Sequence, residues 1–123
     1  MSTSPYPLYI IGAFGGILLL SGLRSLLTPH PAINTFGFPI KPTDTTALDM
    51  VRLRGASNLA LGSSLILLTF FGERRGTGLM SAAVTGLGFL DAYLIWTRGM
   101  RSHVGGHLGG TVVLGGLAWL LLA

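Results

Sequence analysis

The sequence contains no cysteine and few acidic residues, and both absences narrow what the protein can be. With no cysteine among its 123 residues, the chain can form neither a disulfide nor a thiolate metal site. Asp and Glu number only 4, and charged residues make up 10% of the chain, against about a quarter in soluble domains. That polar surface is too small to cover a chain that is 50% hydrophobic, so a soluble protein is not expected.

Several motifs of known chemistry are also missing. The sequence has no P-loop, no dinucleotide-binding glycine motif with an acidic partner and no serine nucleophile elbow. We therefore expect no cofactor. The net charge of +4 would favour a nucleic-acid partner in a soluble protein. Here most of the Arg residues lie at the ends of apolar segments, where they anchor helices to lipid headgroups, so membrane lipid is expected instead of nucleic acid.

Four long apolar segments predict four transmembrane helices. About 20 residues rising 1.5 Å each span a hydrocarbon core of about 30 Å. The connections are short, which favours antiparallel neighbours. The residues before the first segment include no Lys or Arg, so we do not expect a cleaved signal peptide. The prediction is an all-α integral membrane four-helix bundle, one domain over 1–123, with helices at about 8–27, 45–71, 78–97 and 102–123.

Glycine is abundant, at 19 residues, and several glycines are spaced four apart. Such GxxxG spacing lets helix backbones approach closely in a membrane. We predict close packing of the first helix through Gly12 and Gly16. On the fourth helix, the same role is predicted for Gly105, Gly106, Gly109 and Gly110.

Most of the ionisable residues within the predicted helices fall at one depth. Counting 1.5 Å per residue from the helix ends, each lies roughly 8–15 Å inside, on the side of the first and third loops. Ionisable groups at this depth cost several kcal/mol unless they are paired or hydrated, so they mark a functional site by default. The members of this layer are Asp49, Arg52, Arg54, Asp91 and His107.

Two carboxylates and two guanidinium groups in one layer predict acid–base chemistry. Asp49 and Arg52 share a helical face, whereas Arg54 points nearly the opposite way and groups with Asn58. Two carboxylates near an Arg can divide the roles of acid and base, which suits epoxide opening. The predicted catalytic residues are Asp49, Asp91, Arg52 and Arg54. The alternative is a structural salt-bridge network that fixes helix register.

Other polar and aromatic residues are candidates for substrate binding. Asn58, His107, Tyr93 and Trp96 are predicted to contact the ligand, although the two aromatic residues also fit an interfacial belt. His103 and His107 share a face and could hold a metal. No HExxH motif is present, and we expect His107 to hydrogen-bond to a carboxylate, with no metal site.

Several short motifs resemble a family of small, largely uncharacterised four-helix membrane proteins common in fungi. The resemblance covers the chain from about Gly12 onward and implies the same architecture. Some similar proteins are assigned as epoxide hydrolases or cyclases of polyketide or terpenoid biosynthesis. The resemblance implies that the positions to test for this activity are Asp49, Arg52, Arg54, Asn58, Asp91 and His107. The motifs are Phe36-Gly37-Phe38-Pro39, Arg54-Gly55-Ala56 with Asn58 and Gly62, the lone Asp91, and His107-Leu108-Gly109-Gly110.

The leading hypothesis is a membrane enzyme that opens an epoxide in a lipophilic secondary-metabolite intermediate. The alternatives are a non-enzymatic binding or accessory protein with a structural salt-bridge layer, and a small transporter or channel subunit. A transporter should carry polar residues along the whole path of its substrate. In this bundle, the half away from the first and third loops has almost no ionisable residues. The expected location is the endoplasmic reticulum membrane. The sequence leaves open whether the protein forms a homo-oligomer.

The positive-inside rule predicts the topology. We expect the first and third loops in the cytoplasm and both termini in the lumen. A glycosylation acceptor tag should therefore be modified in the second loop and stay unmodified in the third; the reverse pattern would contradict this orientation. The basic residues are Arg24, Lys41, Arg98 and Arg101 near the cytoplasmic loops, and Arg74 and Arg75 in the lumenal one.

Overall fold

The computed structural model describes residues 4–123 as a succession of helices. The first three residues lie outside the described residues. They belong to the predicted domain and to the N-terminal stretch on which the signal-peptide expectation is based. The elements are α1 (Tyr6–Leu27), α2 (Pro29–Phe36), α3 (Thr45–Phe70), α4 (Arg74–Arg98), a 3-10 turn (Arg101–His103) and α5 (Val104–Leu122).

The predicted four-helix membrane bundle is confirmed. α1, α3 and α4 are each long and apolar enough to cross a membrane, as is α5 together with the 3-10 turn. Asp44 caps α3, because its carboxylate accepts a hydrogen bond from the backbone N–H of Ala47 at 3.0 Å. Large apolar side chains lie exposed on the outside of all four helices, where lipid replaces water. Examples are Ile17, Leu20, Leu53, Leu67 and Val112.

The short helix α2 lies in a segment that we predicted to be a loop. Proline is tolerated in the first turn of a helix, because the amides there have no intrahelical partner. α2 therefore begins at Pro29 and includes Pro31. It ends at Phe36, and the next residue, Gly37, has a φ of 87°, the left-handed conformation typical of the residue after a helix. Ala32 and Ile33 are buried, so α2 packs against the end of the bundle.

α1 and α3 touch through their backbones at two glycine pairs. A Cβ atom added to Gly62 would lie 2.5 Å from the carbonyl oxygen of Gly15. A Cβ atom on Gly22 would lie 2.6 Å from the carbonyl oxygen of Gly55, and one on Gly55 would lie 2.8 Å from that of Gly22. The two pairs are seven residues apart on each helix, about two turns, so both face the same seam.

The glycines that we predicted to mediate close packing do not do so, with one exception. A Cβ atom on Gly12 would meet Thr69 at 2.9 Å, but one on Gly16 would have no atom within 4 Å. On α5, Gly105, Gly106 and Gly109 are equally open, and Gly110 has only a ring carbon of Phe14 at 3.9 Å. The predicted GxxxG contact of the fourth helix is therefore wrong.

The bundle consists of two tightly packed helix pairs. α1 packs mainly against α3, and α4 packs mainly against α5, while contacts between the two pairs are sparse. The second pair is also close, since a Cβ atom on Gly115 would lie 3.0 Å from the methyl group of Thr85. A hydrophobic cluster joins the pairs at the end away from α2. Its buried members are Leu8, Ile11, Leu65, Leu114 and Leu121.

The backbone seam between α1 and α3 gives the first structural prediction. Gly22→Ala should destabilise the protein by about 1–3 kcal/mol, because the new methyl group overlaps backbone atoms that cannot move away. Gly16→Ala is the matched control on the same helix and should leave the thermal unfolding midpoint in detergent unchanged or slightly raised. Equal midpoints for the two variants would show that the helices separate easily.

Candidate functional site

A cavity of about 830 Å³ lies between the two helix pairs. This volume falls within the range of about 300–1,000 Å³ that small-molecule sites occupy. All four long helices line the cavity, and α2 and the segment after it line its end through residues such as Asn34 and Phe38. The cavity exists because the pairs are individually tight and meet one another loosely.

The two halves of the cavity differ in polarity. The half near α2 carries every charged or imidazole side chain in the lining, together with hydroxyl and amide groups. The far half is apolar except for Thr111, whose hydroxyl donates to the backbone oxygen of His107 at 2.6 Å. Polar residues of the near half are Ser21, Ser25, Asn34, Thr35, Arg54, Ser57, Asn58, Asp91, Ser102, His103 and His107. Apolar residues of the far half are Phe14, Leu18, Leu61, Val84, Leu87 and Leu114.

An ion pair between Arg54 and Asp91 lies at the polar half of the cavity. The guanidinium donates two hydrogen bonds to the carboxylate, Nη1 to Oδ1 at 3.3 Å and Nη2 to Oδ2. The side chain of Asp91 is 20% exposed and that of Arg54 43% exposed. Because this fork joins α3 to α4, it also ties the two helix pairs together.

Asp49 and Arg52 form a separate pair outside the cavity. Arg52 Nη1 donates to Asp49 Oδ1 at 2.6 Å within one turn of α3, and the two side chains are 45% and 71% exposed. Two of the predicted catalytic residues, Asp49 and Arg52, therefore lie apart from the other two, Arg54 and Asp91. Asp49 precedes Arg54 by five residues, which places them roughly 140° apart around α3, so only one of them can face inward.

Two predicted binding residues, Asn58 and His107, do line the cavity. Asn58 follows Arg54 by one turn of α3 and shares its inward face. Among the described residues, neither the amide of Asn58 nor the imidazole of His107 has a hydrogen-bond partner. Polar groups in this position are available to a ligand.

His103 holds α2 in place. Its Nε2 lies 2.9 Å from the backbone oxygen of Asn34, and since a carbonyl only accepts, Nε2 carries the hydrogen. A second bond, from the backbone N–H of Met100 to the oxygen of Gly37 at 2.8 Å, fixes the end of α2. Over residues 4–123, no group of three His, Asp or Glu side chains is placed to hold a metal ion.

Tyr93 and Trp96 lie on the outer surface of α4 and not in the cavity. The guanidinium of Arg101 sits 4.7 Å from the centre of the Trp96 ring. The structure thus corrects their predicted contact with a ligand in the cavity and agrees with an interfacial position. Sequence reasoning missed Ser21 and Ser25 of α1, whose spacing of four within an apolar helix was the available signal.

The fold and the cavity define a small four-helix membrane protein with an internal site at one end. The chain belongs to a family described as a domain of unknown function (DUF4267), whose sequence profile matches residues 15–121. That range contains every cavity residue except Phe14. No curated protein and no solved structure matches the chain.

A comparison of the two ion pairs gives a second prediction. In a double-mutant cycle with Arg54→Gln and Asp91→Asn, the thermal stability should reveal a coupling of about 1 kcal/mol or more, since the pair is forked and partly shielded. The matched cycle, Arg52→Gln with Asp49→Asn, should give less than about 0.5 kcal/mol, because both groups are exposed. Equal couplings would contradict the distinction between the pairs.

Proposed function

We propose that this protein is a membrane enzyme that binds a lipophilic small molecule in the cavity and opens an epoxide in it. The observation that carries the proposal is the Arg54–Asp91 pair in the lining of a cavity whose far half is apolar. An ionised carboxylate at membrane depth is costly and marks a functional site by default. A lipophilic substrate would partition into the bilayer and place its hydrocarbon in the apolar half.

The proposed reaction uses Asp91 as the general base. Arg54 holds the carboxylate in place through the forked hydrogen bonds, and Asp91 accepts a proton from a water or from a hydroxyl of the substrate. The oxygen so activated forms a bond to one epoxide carbon while the bond from that carbon to the epoxide oxygen breaks. The leaving oxygen takes a proton from the imidazolium form of His107. Transfer of the proton from Asp91 back to His107 through water restores the starting state.

This assignment changes the catalytic set that the sequence predicted. Asp49 no longer has a role, because it lies outside the cavity, and His107 takes over as the acid. Asn58 is proposed to bind the epoxide oxygen through its amide N–H groups. The resemblance to small fungal membrane proteins assigned as epoxide hydrolases or cyclases supports the reaction class. We infer the endoplasmic reticulum membrane as its location.

A non-enzymatic binding or accessory role is the second candidate. It is favoured by the position of the Arg54–Asp91 pair, which supplies the side-chain hydrogen bonds between α3 and α4 among the described residues. A pair placed there would stabilise the bundle even if it performed no chemistry. The two candidates differ in whether a bound epoxide is converted.

Conversion of lipophilic epoxides by the purified protein tests the proposal. Suitable probes are epoxydodecane and epoxyfarnesol, with the protein in lipid nanodiscs and isotope-labelled water as the reporter of hydrolysis. Asp91→Asn should lower turnover by about 10²-fold or more, because the base is removed while side-chain size is kept. Asp49→Asn is the matched control and should retain wild-type turnover.

The possible outcomes separate the two candidates. Wild-type turnover in a folded Asp91→Asn variant would remove Asp91 from the reaction. Saturable binding of both probes by the wild-type protein, without conversion, would favour the non-enzymatic role.

A further inference from the structure

The wall of the cavity that α1 forms changes from apolar to hydroxyl-bearing along its length. Phe14, Leu18, Ser21 and Ser25 all line the cavity. They follow one another at intervals of four, three and four residues, which is the spacing of a single helical face. Phe14 and Leu18 lie in the apolar half of the cavity and the two serines in the polar half. One stripe of side chains on α1 therefore repeats the polarity change of the whole cavity.

The hydroxyls of Ser21 and Ser25 are not bonded to their own helix. A serine or threonine inside a helix commonly donates to the carbonyl oxygen four residues earlier, as Ser64 does to Ala60 at 2.8 Å. Among residues 4–123, neither Ser21 nor Ser25 has a hydrogen-bond partner for its hydroxyl. Ser21 is exposed and Ser25 is half-buried. A ligand in the cavity can therefore reach both hydroxyls.

Ser21 lies in the same layer as the ionisable groups. It precedes Leu27, the last residue of α1, by six residues, which places it about 9 Å inside the helix end. Asp91 precedes Arg98, the last residue of α4, by seven residues, or about 10 Å. α1 packs mainly against α3 and has few contacts with α4. The serines and Asp91 thus lie at one depth on separate walls of the cavity.

An epoxide by itself does not use both walls. Its single oxygen atom lies beside Asn58 and His107 under the proposed function, and this leaves the hydroxyls of α1 without a partner. In a ligand site, polar groups that stay unpaired in the complex lower the affinity. A second oxygen atom in the substrate would pair with these hydroxyls.

We propose that Ser21 and Ser25 form a hydroxyl-binding subsite, and that the substrate is a lipophilic epoxide with a hydroxyl group on a carbon next to the epoxide ring. This inference rests on the proposed function and names its substrate class. Because Ser21 lies at the depth of Asp91, the hydroxyl belongs near the epoxide and not at the far end of the hydrocarbon. Each serine can donate to the substrate hydroxyl or accept from it. The serines are specificity-determining residues and take no proton in the reaction.

A matched pair of probes tests the subsite. One probe is epoxydodecanol with its hydroxyl on the carbon next to the epoxide, and the other is the epoxydodecane in which hydrogen replaces that hydroxyl. Native mass spectrometry measures both affinities for the protein in lipid nanodiscs. The ratio of the two affinities is compared between variants, so that partition of the probes into lipid cancels. Ser21→Ala should lower the ratio by about 2- to 12-fold, the contribution of one neutral hydrogen bond, and leave epoxydodecane binding unchanged.

Three further variants complete the test. Ser64→Ala is the matched control, because Ser64 lies outside the cavity lining and its hydroxyl is bonded to its own helix, so the ratio should equal that of the wild type. Ser25→Ala should also lower the ratio, and the variant that carries both substitutions should lower it further. Since each change removes one oxygen atom and adds no bulk, all variants should keep the wild-type unfolding midpoint in detergent.

The outcomes distinguish this inference from the proposed function. An unchanged ratio in the variant without either serine would overturn the subsite and leave the proposed function standing. Equal losses for the two probes would also overturn it, because the serines would then act on the shape of the cavity. A ratio that falls in Ser21→Ala, while the wild-type protein converts neither probe, would support the subsite and contradict the reaction. A wild-type protein that binds neither probe would overturn both.

Discussion

The backbone contact between α1 and α3 is the constraint on which the rest of the structure depends. At the Gly15–Gly62 and Gly22–Gly55 pairs no side chain separates the two helices, so their register is fixed to within a fraction of a turn. This register brings Ser25 against Gly55, since a Cβ atom on that glycine would lie 2.7 Å from the serine Cβ. The polar end of α1 thereby meets the polar stretch of α3. Because α1 lies so close to α3, its side chains fill little of the space toward α4 and α5. The cavity forms in that space.

The depth of the ionisable residues could be predicted from the sequence, whereas their direction around the helix could not. Depth depends only on the rise per residue, and it placed Arg54, Asp91 and His107 in one layer correctly. Direction depends on which face of α3 turns inward. The sequence of α3 contains two polar faces, one with Asp49 and Arg52 and the other with Arg54 and Asn58. Each face contains a charged group and a partner, so the sequence alone does not select the one that turns inward. The fold decides between them through the position of Gly55 and Gly62, which face α1.

The roles of the glycines and of α2 depend on partners elsewhere in the chain. Gly15 brings helices together because Gly62 lies opposite it, although neither glycine is spaced four from another, while Gly109 follows Gly105 by four and meets nothing. A GxxxG pattern therefore permits a contact without selecting its face. Likewise α2 is short and opens on two prolines, so its local propensity is poor. Its place over the cavity is set by bonds from the distant Met100 and His103.

The structural and chemical interpretations of the Arg54–Asp91 pair are compatible, because one contact can serve both. Each oxygen of the Asp91 carboxylate accepts one hydrogen bond from the Arg54 guanidinium, and this fork ties α3 to α4. A carboxylate oxygen has two lone pairs, so the fork leaves lone pairs on Asp91 that can accept a further hydrogen bond. A base needs one free lone pair, not a free carboxylate. Under the proposed function, a water or hydroxyl can bind one of these lone pairs while the fork stays in place. The bundle would thus stay closed during the reaction, and Asp91 would act as the base from within its ion pair.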